Sequence, residues 1–145
     1  MLKIGDKKLI NAWAFYDWAN SVYSLVISTA VFPIYYSSMT ESFQNMDEKI
    51  TFLGTQWDPT TLYDYTMAFS FLIVAILSPI LSGIADYNGN KLGFLKGFCL
   101  LGSLSVMSLF FFDGESTLWV AIVFTILASI GFWGSIVFYN AYLPE

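Results

Sequence analysis

Residues 13–40 read WAFYDWANSVYSLVISTAVFPIYYSSMT, and the reading of this stretch decides the fold. No residue from Trp18 to Thr40 is charged, so the run exceeds the roughly 20 residues that an α-helix needs to cross a hydrocarbon core. Asp17 lies at its start, and Ser21, Ser24 and Ser28 follow at three-and-four spacing with Asn20 beside them. A helix places these side chains on one face. A carboxylate held at the centre of a bilayer costs on the order of 2.5 to 3.5 kcal/mol by insertion scales, so a chain keeps one where water, a partner or a solute compensates it. Serine and asparagine also join helix to helix, but the carboxylate favours a solute cavity over interhelical glue.

Three further uncharged runs follow, Tyr65 to Ala85, Gly97 to Phe112 and Ser116 to Pro144. The run beginning at Gly97 reaches spanning length by drawing in Leu92 to Leu95 past a snorkelling Lys96. The predicted helices are 10–36, 62–85, 92–112 and 118–143, with an outer loop of about 25 residues after the first. An inner loop at Asp86 to Lys91 and a tight outer turn at Asp113 to Thr117 join the others. With 57% hydrophobic and 12% charged residues and a mean hydropathy of +0.63, the chain reads as an all-α membrane protein with four transmembrane helices. No low-complexity tract or soluble domain is evident. A cleavable leader is disfavoured, because its apolar core would be short and would lack Asp17, Asn20 and the aromatics.

Lys3, Lys7 and Lys8 precede the first run and Lys91 and Lys96 lie between the second and third, whereas Lys49 is alone in the first-to-second loop. This asymmetry places both termini in the cytoplasm. Glu41, Asp47, Glu48, Asp58, Asp113 and Glu115 collect on the opposite side. The net charge of -5 and the absence of arginine and histidine give no basis for a nucleic-acid partner. A single cysteine, Cys99, allows neither an internal disulfide nor a cysteine cluster for zinc. No metal, cofactor or catalytic site is expected, and the chain does not read as an enzyme.

Within the helices, Pro33 and Pro79 remove a backbone donor and bend their surroundings. Gly89, Gly93 and Gly97 permit close approach of a neighbouring backbone. Trp13, Phe15, Tyr16 and Trp18 form an interfacial aromatic belt, while Tyr23 lies deeper and is a solute contact. Counting from the inner ends, Asn140 is about one turn deep and Asp17 about two, which predicts a direct or water-bridged pair. The candidate cavity residues are therefore Asp17, Asn20, Ser21, Tyr23 and Ser24 on the first helix, with Ser129, Tyr139 and Asn140 on the fourth.

The inner loop reads Ser82-Gly83-Ile84-Ala85-Asp86-Tyr87-Asn88-Gly89-Asn90-Lys91. An acidic residue ending one helix, a glycine three residues later and a basic residue beyond resembles the signature loop of the major facilitator superfamily. Tyr16-Asp17-Trp18-Ala19-Asn20-Ser21 and Phe138-Tyr139-Asn140-Ala141-Tyr142-Leu143-Pro144-Glu145 sharpen the match. Together these segments resemble the vacuole-effluxer-like branch, whose fungal members are autophagy-related amino-acid effluxers. The resemblance covers nearly the whole chain.

It implies that residues 1–145 are the N-terminal fragment of a transporter and form the first part of a six-helix half. It further implies transport of a small solute by alternating access, with amino-acid efflux the family activity, in a bacterial plasma membrane. The expected partners are the lipid bilayer, the solute and the remaining transporter helices. Ser82, Gly83, Asp86, Gly89 and Lys91 would form the gating loop, with Asp86 anchoring one orientation. Asp86 could equally serve the dipole of the following helix. Two other readings compete: a self-contained four-helix oligomeric exporter with Asp17 as coupling carboxylate, and a non-transporting scaffold using the outer loop around Trp57. The signature loop and Pro144-Glu145 argue against both. Substrate and coupling ion stay open.

Overall fold

The computed structural model describes residues 7–88 and 91–140, apart from the side chains at 9, 85, 86 and 88. The first span is one unbroken helix made of three segments: α1 (Lys7–Val22), a π-helical stretch (Tyr23–Val31) and α2 (Phe32–Glu41). A two-stranded hairpin follows, β1 (Ile50–Phe52) and β2 (Thr55–Trp57), and then α3 (Pro59–Asn88). The chain continues through α4 (Lys91–Ser108), short 3-10 turns at Leu109–Phe111 and Glu115–Thr117, and α5 (Leu118–Asn140). Four helical stretches, Ile10–Glu41, Pro59–Ile84, Lys91–Phe111 and Glu115–Asn140, are long and apolar enough to cross a membrane.

Each helix therefore runs close to its expected course, with corrections at the ends. The first extends to Glu41 rather than residue 36, and the second runs from Pro59 to Asn88 rather than over 62–85. Asp58 explains the earlier start of α3. Its Oδ1 accepts the Thr61 backbone N–H at 3.0 Å, and Pro59 occupies the first helical position, where its missing donor costs nothing. Ser82, Gly83 and Asp86 consequently lie on the helix rather than in a loop. Gly89 and Asn90 fall outside the described residues, as do Ala141 to Glu145.

The hairpin was not expected from the sequence. Its register pairs Phe52 with Thr55 across a two-residue turn in which both Leu53 (φ 51°) and Gly54 (φ 76°) are left-handed. That is the turn whose twist suits a tight hairpin. Ahead of it, Asn45 Oδ1 accepts the backbone N–H of Asp47 at 3.0 Å and of Lys49 at 2.9 Å, which orders the approach to β1. Ile50 is only 1% exposed and belongs to a buried cluster with Phe32, Tyr36, Leu62, Leu109, Phe112, Leu118 and Ala121. The cluster joins all four spans and the hairpin at one end of the bundle.

Helix α5 is the axis of the structure. Half of its apolar window is buried, against 6–11% for the other three spans, which leaves them facing lipid or further protein. Glycines set its contact with α4: a Cβ at Gly131 would lie 2.5 Å from Gly102 Cα, and one at Gly134 would lie 2.6 Å from the Phe98 ring. The backbones meet because no side chain separates them. Phe94 and Phe98 stack on Phe138, with ring centroids 5.2 and 5.7 Å apart. Between α3 and α5, Phe71 meets Trp133 edge-on at 6.0 Å.

Candidate functional site

Away from the hairpin, the first span separates from α4 and α5 to leave a groove of about 440 Å³. Tyr16, Asn20, Tyr23 and Ile27 contribute from the first span, Cys99 and Ser103 from α4, and Phe132 and Ser135 from α5. Hydroxyl and thiol contacts bridge it. The Tyr23 hydroxyl lies 3.1 Å from Ser129 Oγ, and the Tyr16 hydroxyl lies 3.0 Å from Cys99 Sγ. Tyr23 also rests on the Phe132 ring at 4.8 Å. The walls combine apolar and aromatic surface with a few polar groups, the usual chemistry of a small-molecule site.

Next to the groove, Tyr139 stacks between Trp13 at 4.7 Å and Tyr16 at 4.9 Å. Its hydroxyl donates to the Trp13 carbonyl oxygen at 3.3 Å, and the Asp17 carboxylate acts on the same hydroxyl. Asp17 itself is exposed. Asn140 is exposed, and among the described contacts the group facing Asp17 on α5 is Tyr139. Among the described contacts no direct Asp17–Asn140 hydrogen bond appears, and Tyr139, the neighbour of Asn140 in sequence, lies near Asp17.

The other expected site residues are scattered. Asn20 and Tyr23 line the groove. Ser21 and Ser24 instead turn back on their own helix, Ser21 Oγ donating to the Trp18 carbonyl at 2.7 Å and Ser24 Oγ to the Ser21 carbonyl at 3.2 Å. Ser129 is buried and serves Tyr23. Ser82 and Gly83 are exposed on α3, Lys91 opens α4 half-buried, and the Asp86 side chain lies outside the described residues. Sequence reasoning left out Tyr16, Cys99, Ser103 and Ser135. Tyr16 reads as part of the aromatic belt because it crowds the inner end of the helix with Trp13, Phe15 and Trp18. No group of three or more metal-binding side chains occurs among the described residues.

Comparison with known proteins agrees with a membrane protein built of apolar spans. The chain belongs to the vacuole effluxer Atg22-like family, which it matches over residues 5–145. It is 42% identical over 136 residues to YxiO of Bacillus subtilis, described as an uncharacterized MFS-type transporter, covering 93% of this chain and 29% of that protein. It is also 36% identical over 92 residues to autophagy-related protein 22 of Coccidioides immitis, covering 63% of this chain and 15% of the relative. The protein of the same name in Pyricularia oryzae is 33% identical over 92 residues, with 63% and 13% covered. The chain therefore spans less than a third of the length of the curated relatives it matches. No solved structure matches. The fold is that of an integral membrane protein of the major facilitator type, with four helices among the described residues long and apolar enough to cross a membrane.

Proposed function

We propose that this chain supplies the first four helices of a transporter that moves a small solute, an amino acid in the outward direction, by alternating access. The observation that carries the reading is the family match over residues 5–145 together with an aromatic and hydroxyl-lined groove between the first span, α4 and α5. Asp17, Asn20, Tyr23, Ser129 and Tyr139 are the residues assigned to solute handling, with Ser21, Ser24 and Asn140 on adjacent faces. Ser82, Gly83, Asp86, Gly89 and Lys91 form the gate between the second and third spans. The similarity to a Bacillus protein supports a bacterial plasma membrane, and the lysine asymmetry supports cytoplasmic termini.

The test is efflux of radiolabelled amino acids from vesicles carrying the transporter that contains this chain. Asp17→Asn should retain part of the wild-type rate, since it keeps hydrogen-bonding capacity beside Tyr139, and Asp17→Leu should abolish it. Equal rates for the wild type, Asp17→Leu and empty vesicles would refute transport through this site. Orientation is checked separately: Ser42→Cys and Ser116→Cys should react with an impermeant thiol reagent added outside, and labelling that requires permeabilised membranes would reverse it.

A further inference from the structure

Helix one contains a contradiction that its π-helical stretch resolves. Tyr23 and Phe32 are nine residues apart, about two and a half turns of an α-helix, so an α-helix would point them in opposite directions. Yet Tyr23 touches Ser129 and Phe132 of α5, and Phe32 is buried in the cluster that contains Leu118 and Ala121 of the same helix. The wider i→i+5 ladder of Tyr23–Val31 brings the count close to two whole turns and puts both on one side.

Pro33 accounts for the position of that stretch. Its ring would clash with the carbonyl of Thr29 four residues earlier, and it cannot supply the hydrogen bond that an α-helix requires there. The chain widens just upstream, where the Phe32 N–H reaches the Ile27 carbonyl five residues back. No residue of Tyr23–Val31 is fully buried, and its contacts are those of Tyr23 with α5 and of Ile27 with the edge of the buried cluster.

The polar stripe is spaced for the other register. Ser21 precedes Phe32 by eleven residues, about three whole α-turns, so a continuous α-helix would place it directly beneath Phe32. Thr125, one turn from Ser129, is 5% exposed and its hydroxyl has no hydrogen-bond partner among the described residues.

We propose that helix one is a two-register element. The π register presents Tyr16 and Tyr23 to α5, and the α register swings them away and presents Ser21 in their place. The outer part of the helix stays fixed in the buried cluster while the inner part turns. The change converts an aromatic groove wall into a polar one. Its use in admitting solute rests on the transport reading, but the change of register does not.

Paired cysteines in the full chain, in membranes and with Cys99→Ser removing the native thiol, read the register directly. Tyr23→Cys with Ser129→Cys reports the π register, and Ser21→Cys with Ser135→Cys reports the α register, each joined by a short bifunctional thiol reagent. Both pairs should cross-link with Pro33 present, the Tyr23 pair predominating. Pro33→Ala should raise the ratio of the Ser21 pair to the Tyr23 pair about tenfold, because it removes the clash that disfavours the α-helix. If Pro33→Ala does not accumulate, Pro33→Leu restores the same N–H with a side chain suited to the half-buried position. A ratio unchanged by replacing Pro33, or a Ser21 pair that never cross-links in inserted protein, would overturn the proposal. Neither result depends on transport, so failure here is distinct from failure of the efflux assay.

Discussion

At the hairpin end, the first span is held by a large buried apolar cluster, and at the Asp17 end by aromatic stacking and single hydroxyl contacts beside an open groove. Phe32, Tyr36, Ile50 and Phe112 share one cluster, and the Tyr36 hydroxyl donates to the Pro59 carbonyl at 3.2 Å while the Tyr35 hydroxyl donates to the Phe112 carbonyl. A turn stapled by Thr117 closes the same end: Thr117 Oγ1 accepts the Asp113 and Gly114 backbone N–H groups at 3.0 and 3.1 Å. At the other end the helix meets its neighbours through Tyr16, Tyr23 and Tyr139, beside an open groove. Each such hydrogen bond contributes a net of about 0.5 to 1.5 kcal/mol, whereas truncating one buried large apolar side chain costs several times that. One end is therefore a fixed body and the other is free to rearrange.

The largest expected effect comes from breaking the fixed end. Phe112→Ala removes a side chain that is 0% exposed and should cost about 3 to 5 kcal/mol, read as a lower midpoint in detergent-induced unfolding. Ile50→Ala should cost about 2 to 5 kcal/mol by the same measurement. A cost near zero would mean that the hairpin is not docked.

Between the two ends, Gly131→Ala must push α4 and α5 apart and should cost about 1 to 3 kcal/mol. Gly102→Ala meets ordinary contacts at 3.5 Å and should be tolerated, so equal effects would contradict the packing. At the Asp17 end, Tyr23→Phe keeps the ring on Phe132 and loses one hydroxyl contact, for about 0.5 to 1.5 kcal/mol. The smallest effect is a gain. Leu53 is 87% exposed and left-handed, so Leu53→Gly loses no packing and should stabilise the hairpin by up to about 1 kcal/mol.

The four spans were legible because uncharged runs of membrane length leave little alternative. The hairpin was not, since Ile50, Phe52 and Trp57 sit among charged loop residues and the turn uses Leu53 where asparagine or aspartate is usual. The groove was half legible. Asn20 and Tyr23 were found because they are polar or aromatic within an apolar run. Tyr16 and Cys99 were not, because Tyr16 stands among the aromatics at the inner end of the helix and Cys99 is a lone thiol in an apolar run. Depth can be counted along a helix, but which neighbour a side chain meets, as Asp17 lies near Tyr139, follows from how the helices pack.

Distances between paired spin labels at the two ends, measured with the chain in bilayers and Cys99→Ser, test the contrast most directly. Labels at Ser42 and Ser116 report the hairpin end, and labels at Asn11 and Asn140 report the other; all four positions are exposed. The account predicts one narrow distance for Ser42–Ser116 and a broad or two-peaked distribution for Asn11–Asn140. A Ser42–Ser116 distribution as broad as the Asn11–Asn140 one would contradict it.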